Sequence, residues 1–297
     1  MSFFFEVLIG GLLSGVMYSL VALGFVLIYK ASGVFNFAQG AMVFFAALTY
    51  VGLLEVGLPP WASVPVTLVV MIVLALAIER VVLRPLVNQP QITLFMATIG
   101  LSFFIEGLAQ MVWGANVRGL ELGLQDEPMQ WLSDSTGMNV SKFDVAAAGV
   151  AAVLVTSLAL FFNRTRIGRA LRAVADDHEA ALSIGIPLKT IWIIVWSVAG
   201  PVAIVAGIMW GAKSGVQFSL SLVALKALPV LILGGFTSVP GAIVGGLIVG
   251  AGEKVAEVFW GPAFGGAIQD WFAYALALVF LLFRPQGLFG ERIIERV

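Results

Sequence analysis

The sequence predicts an all-α fold, a polytopic integral membrane helical bundle. Three observations lead there. Hydrophobic residues make up 60% of the 297 and charged residues 11%, against about 25% charged in soluble domains. The apolar residues fall into runs long enough to cross a hydrocarbon core of about 30 Å as helices. The 33 glycines suit helix packing in lipid, where small residues let backbones approach.

Taken in order, the apolar segments are Val7–Tyr29, Gly33–Leu54 with Asn36 and Gln39 near its start, Trp61–Leu83, and Thr93–Trp113 with Glu106 inside it. Gly114–Phe143 is a polar stretch in which Glu121, Asp126, Glu127 and Asp134 outnumber Arg118 and Lys142. Asp144–Phe162 and Thr190–Ala212 follow. Ser219–Phe259 is too long for one crossing and is interrupted at Gly234–Gly241, so it reads as two apolar segments joined by a tight turn. Ile268–Phe283 is the last apolar segment. No separate soluble domain is indicated, and residues 1–297 read as a single membrane domain. The N-terminus lacks a basic region and a small-residue cleavage site, and reads as retained.

Composition also excludes functions. A net charge of −1 provides no basic field for nucleic acid. With no cysteine and one histidine, His178, neither disulfides nor a multi-histidine metal site can form. No G-x-x-x-x-G-K-[ST] nucleotide loop occurs. No Ser/His/Asp arrangement can be drawn around a single His in a polar linker. Catalytic residues: none are assigned; metal ligands: none.

The stretch Asn163–Lys189 is polar and basic between two apolar spans. Within it, Asp176 can cap a short helix and Glu179, three residues on, can complete a capping box. Asp177 and Glu179 place negative charge at the helix N-terminus. Gly185 and then Pro187 close it. Ala180, Ala181 and Ser183 leave a small-residue surface open to close approach. Upstream, Ile167, Leu171 and Val174 recur at helical spacing while Arg166, Arg169 and Arg172 lie elsewhere. Two readings stand: a solvated loop with two surface helices, or a docking helix for a cytoplasmic partner.

Glu179-Ala180-Ala181 followed by Gly185 resembles the EAA---G coupling motif of bacterial ABC importer permeases. Gly168–Ala175, Ser32–Gly40, Leu233–Gly241 and Arg284–Gly290 are similar to stretches of the branched-chain amino acid ABC permease family. The resemblance runs from Gly11 to Gly290. It implies an inner-membrane, multi-pass permease subunit of eight spans, so that about eight to nine membrane segments are expected, one or more of them re-entrant. It also implies a second homologous permease, two cytoplasmic ATP-binding cassette subunits that carry the ATP, and a periplasmic solute-binding protein. Asp176, Asp177, Glu179, Ala180, Ala181 and Gly185 then form the ATPase-coupling site within a cytoplasmic segment, 163–189. The solute implied is a branched-chain amino acid or a related small polar molecule such as urea, a short amide or a small carboxylate. The rival is a self-sufficient channel or ion-coupled carrier, which would need no ATPase.

Four polar residues are candidates for a translocation path. Asn36 and Gln39 are amides among aromatic residues, and either line a path or tie helices together. Glu106 and Lys226 are ionisable groups inside apolar runs, where they are expensive and often functional. They pair with each other, line a water-filled path, or snorkel. The glycine pairs Gly11/Gly15, Gly207/Gly211, Gly241/Gly245 and Gly246/Gly250 provide either static packing or a sliding surface.

Orientation follows from basic residues. With the 163–189 segment inside, Lys30, Arg80, Arg84, Arg164, Arg166, Arg169, Arg172, Lys189, Arg284, Arg292 and Arg296 are inside, which is most of the 16. The 114–143 stretch is then a periplasmic loop. A topology reporter fused after Val297 should therefore read cytoplasmic and one inserted beside Asp134 periplasmic; both reading the same side would defeat the orientation.

Overall fold

A chain in hydrocarbon must satisfy its backbone N–H and C=O groups internally, and helices do so segment by segment. The computed structural model describes residues 2–33, 35–86, 89–123, 127–176 and 188–290. Among the described residues the structure is all-helical, with only isolated bridges in place of strands. The helices are α1 (Ser2–Ser32), α2 (Gln39–Glu55), α3 (Pro60–Ala77), α4 (Gln91–Trp113), α5 (Gln130–Thr136), α6 (Lys142–Arg164) and α7 (Arg166–Asp176). They continue with α8 (Leu188–Ser214), α9 (Val223–Gly234), α10 (Val239–Phe264) and α11 (Phe272–Phe283).

Five helical stretches are long and apolar enough to cross a membrane: Ser2–Lys30, Pro60–Leu86, Gln91–Trp113, Lys142–Phe162 and Thr190–Ser214. The expected interruption near Gly234–Gly241 is present as a bend of 114° between Phe218–Gly234 and Val239–Phe264. Counting that pair as one span gives six, so helices of spanning length account for fewer than the eight to nine expected segments. Two expected segments are shorter than the sequence suggested. The helix in Gly33–Leu54 starts only at Gln39. Gly33 (φ 65°) closes α1, its N–H bonded to Tyr29 O at 2.8 Å, and Asn36 Oδ1 then accepts from Ala38 N–H at 3.1 Å. Likewise, Ile268–Phe283 is divided into a 3-10 turn, Ile268–Asp270, and a 12-residue α11, about 18 Å long. Its early residues are held off the helix by Glu257, whose carboxylate accepts from Ala267 N–H (3.1 Å) and Gln269 N–H (2.9 Å). The polar stretch 114–143 contains a short helix that its composition did not suggest, α5, ended by Gly137 (φ 69°).

The chain divides into two units. One comprises Met1–Val26, Glu121–Val153 and Leu225–Val297. Its core is the crossing of α1 with α10. Gly11 faces Gly250 and Gly15 faces Gly246, so the two helices run antiparallel at backbone contact. Ser19 extends the series, its hydroxyl lying 2.9 Å from Gly15 O and 3.2 Å from Ile243 O. At the bend, Ser238 caps α10 by accepting from Gly241 N–H at 3.0 Å. The last carbonyls of α9 are taken from outside the helix: Leu288 N–H donates to Leu233 O (2.7 Å) and Phe289 N–H to Gly234 O (3.1 Å).

The other unit comprises Leu27–Leu120 and Leu154–Ala224. Its centre is α2, buried continuously from Gln39 to Gly52. A helix apolar on all sides belongs in a core, and α2 is packed by α3, α4, α8 and the 3-10 turn Phe218–Leu222. Close approach is again made by small residues: Gly207 of α8 lies on Val43 O and Ala47. Trp113 of α4 covers Gly52 and donates from Nε1 to Thr49 Oγ1 at 3.2 Å. Beyond Ala77, α3 runs into a π-helical turn, Ile78–Leu83, where buried Glu79 takes a two-pronged ion pair from Arg84 (3.2 and 3.3 Å).

The glycine contacts make a test within one helix turn. A Cβ on Gly11 would stand 2.7 Å from Gly250 O and 2.8 Å from Ala251 Cα, whereas one on Gly10 would meet nothing within 4 Å. Gly11→Ala should destabilise the protein by about 1–3 kcal/mol through overpacking. Gly10→Ala should be neutral or stabilise by up to about 1 kcal/mol through helix propensity. Thermal unfolding of the two variants in one detergent measures both, and equal midpoints would contradict the packing described.

Candidate functional site

Polar side chains inside apolar helices need partners there, so they are the groups to place first. In the α2 unit, Asn36 and Gln39 are both fully buried. Asn36 serves the turn that starts α2: besides its bond to Ala38, its Nδ2 faces Gln39 Oε1 at 3.5 Å and Met42 Sδ at 3.6 Å. Thr98 of α4 secures the same turn. Its hydroxyl accepts from Phe37 N–H (3.1 Å) and lies 3.1 Å from Phe35 O. The rings of Phe35, Phe37 and Phe95 close over it, with centroids 6.1 to 6.5 Å apart.

Gln39 differs from Asn36. Its Nε2 is buried without a hydrogen-bond partner among the described residues. One residue along, Gly40 brings the α2 backbone onto the carbonyl of Ser221. The Ser221 hydroxyl lies 2.9 Å from Phe218 O and within hydrogen-bonding range of the Glu106 carboxylate. Gly40, Glu106 and Ser221 thus meet at one place, with Gln39 next to it on α2.

Lys226 belongs to the other unit. The idea that Glu106 and Lys226 pair with each other is replaced by separate local partners. Lys226 Nζ is 3.2 Å from Glu253 Oε1 and 3.4 Å from Asp270 Oδ1. Tyr18 OH donates to the same Glu253 oxygen at 3.2 Å; a helical side chain leans toward its own N-terminus, which lets Tyr18 of antiparallel α1 reach Glu253 on α10. Glu253 Oε2 is buried and unpartnered among the described residues. Sequence reading missed Glu253, Asp270, Tyr18 and Ser221. Glu253 carried the same signal as Glu106, a carboxylate inside an apolar run. The others carried none, since a Tyr or Ser near an apolar run is unremarkable and Asp270 lies at a turn.

The basic stretch 163–189 is described in part. α7 forms as the spacing of Leu171 and Val174 suggested, and both are buried against α8. Ile167 is 40% exposed, with Arg164, Arg166 and Arg169 also exposed. Thr165 starts the helix, its Oγ1 accepting from Gly168 N–H at 2.9 Å. Asp176 ends α7, with its side chain outside the described set. Asp177, Glu179, Ala180, Ala181 and Gly185, and with them the expected short helix, also lie outside the described residues.

Comparison with known proteins places this architecture. The sequence matches the family described as "Branched-chain amino acid transport system / permease component" over residues 7–283. It is 30% identical over 305 residues to the high-affinity branched-chain amino acid transport system permease protein BraD of Pseudomonas aeruginosa, covering 99% of this chain and 98% of that one. It is 27% identical over 310 residues to the corresponding protein LivH of Escherichia coli, with the same coverage. The fructose import permease protein FruG of Bifidobacterium longum is 23% identical over 263 residues, covering 85% of this chain and 74% of that one. Among solved structures, a chain of PsaBC from Streptococcus pneumoniae in complex with Fab superposes with a TM-score of 0.54 at 16% identity, over 94% of this chain and 92% of that one, a likeness of fold. With its helical membrane architecture and a match that spans nearly the whole sequence, the chain belongs to the branched-chain amino acid transport system permease family.

Proposed function

We propose that this chain is one transmembrane subunit of an ATP-driven importer in a bacterial inner membrane. It works beside a second homologous permease, two cytoplasmic ATP-binding cassette subunits and a periplasmic solute-binding protein. The solute is a branched-chain amino acid, or a related small polar molecule such as urea, a short amide or a small carboxylate. The observation that carries this reading is the family match over residues 7–283. Relatives aligned over 98% of their length are named for branched-chain amino acid transport, whereas the relative named for fructose import is aligned over 74% of its own.

In this reading, ATP binding moves the cassette subunits and the 163–189 segment carries that motion to the spans. The sequence of Asp176–Gly185 supports it, with a capping box, a closing glycine and an exposed small-residue surface. α7 supports it too, since its exposed arginines suit a phospholipid headgroup region while Leu171 and Val174 anchor it to α8. The broken pair, α9 with α10, and the two short helices, α2 and α11, enter the membrane without each spanning it, which brings the helical stretches of spanning length and the expected eight to nine segments into one scheme. The 114–143 segment faces the periplasm. Gln39 and Glu106 supply polar groups along the path.

Purifying the full chain from its native membrane in mild detergent and identifying what accompanies it tests the assembly. ATP-binding cassette subunits should be recovered; their absence, with uptake driven by an ion gradient instead, would replace this reading by the channel or carrier. Within the assembly, Glu179→Ala removes a cap worth roughly 1 kcal/mol, and Gly185→Val opposes a left-handed closing residue by about 1 kcal/mol or more. Both variants should reach the membrane at normal levels, retain less cassette subunit and take up less solute. Normal uptake with full retention would make 176–185 an ordinary surface helix.

A further inference from the structure

The polar cluster of the α10 unit is not balanced in charge. Two carboxylates, Glu253 and Asp270, face a single ammonium, Lys226. Tyr18 adds a donor but no charge. One negative charge is left over, and the open acceptor is on the buried carboxylate: Glu253 is 4% exposed, and its Oε2 has no partner among the described residues. A buried carboxylate oxygen without a donor is costly, so the site as built calls for one more cationic donor.

Exposure orders the cluster from outside to inside. The Asp270 side chain is 68% exposed, that of Lys226 31% and that of Glu253 6%. Asp270 is held in place, because the Glu257 carboxylate grips the turn before it through Ala267 and Gln269. Lys226 is the movable member, a long flexible side chain standing between an outer and an inner carboxylate.

We propose that this cluster is a transfer point for the ammonium group of a small zwitterionic solute, an inference that rests on the import function proposed above. Asp270 meets the solute ammonium first. The ammonium then takes the open Oε2 of Glu253, and the solute carboxylate engages Lys226 as that side chain leaves Glu253. Each ionic contact is exchanged for a like one, so no bare ion is left where the dielectric is low. A solute without an ammonium leaves Glu253 Oε2 as open as before and gains nothing at the inner position.

The test uses the full chain in lipid nanodiscs and saturation-transfer NMR with three probes: leucine, 3-methylbutylamine (the ammonium without the carboxylate) and 4-methyl-2-oxopentanoate (the carboxylate without the ammonium). Leucine and the amine should give signals that the oxo acid does not. Glu253→Gln should reduce both at least fivefold. Asp270→Asn, at an exposed position that does not endanger folding, should reduce them at least threefold. Unchanged signals in both variants, an oxo-acid signal equal to that of leucine, or no leucine and amine signal in the wild type would each overturn the proposal. ATP-driven leucine uptake by the complete importer separates the two readings. Binding without uptake removes the import reading and leaves the site; uptake unaffected by Glu253→Gln removes the site and leaves the import reading.

Discussion

Hydrocarbon offers no hydrogen bonds, so each place where a helix stops must be completed by other protein groups. The three interruptions in this chain show three solutions. After α1, Asn36 and Thr98 take the amides and carbonyls of residues 35–38. After α9, Ser238 caps the next helix while Leu288 and Phe289 take the carbonyls left open behind it. After α10, a single carboxylate, Glu257, serves two amides of the turn. In each case the side chain or strand that completes the break also fixes where the next polar group stands: Gln39, the start of α10, and Asp270.

Close backbone contact is the second constraint and follows from the first. Lipid tails are as apolar as leucine, so burial alone does not drive helices together. The Gly11/Gly15 face of α1 on the Gly246/Gly250 face of α10 provides contact area that larger residues would prevent. The same crossing sets Tyr18 and Ser19 against α10, and Tyr18 reaches Glu253 only because the two helices lie so near. Packing and polar chemistry in that unit are therefore one arrangement. In the α2 unit the equivalent step is Gly40, whose missing side chain brings Ser221 up to the helix that precedes it in the sequence.

Much of this was legible in the residues. Runs of apolar residues located α1, α3, α4, α6 and α8, because a spanning helix needs little more than length and hydrophobicity. The glycine-rich run at 234–241 marked the bend, and Leu171 and Val174 marked the inward face of α7. What was not legible depended on partners distant in sequence. The late start of α2 turns on an asparagine closing a local turn, and the short α11 on Glu257, which composition does not distinguish from any surface glutamate. Lys226 was flagged for its place in an apolar run, but its partners lie 27 and 44 positions away on elements whose approach no local pattern records. Glu106 and Glu253 looked alike in sequence; tertiary contact made one a neighbour of Ser221 and the other the centre of an ionic cluster.

The pairing of Leu288 and Phe289 with the end of α9 has a consequence for how the protein is made. α9 enters the membrane well before residues 287–289 have been synthesised. At about 5–20 residues per second, the interval between Gly234 and Phe289 is roughly 3–10 s. Throughout it the carbonyls of Leu233 and Gly234 lack their eventual donors and must be met by water, lipid headgroups or the insertion machinery. The bent pair is therefore the part of the membrane domain that matures last, however early it is translated, and its assembly clock is set by a segment more than fifty residues downstream.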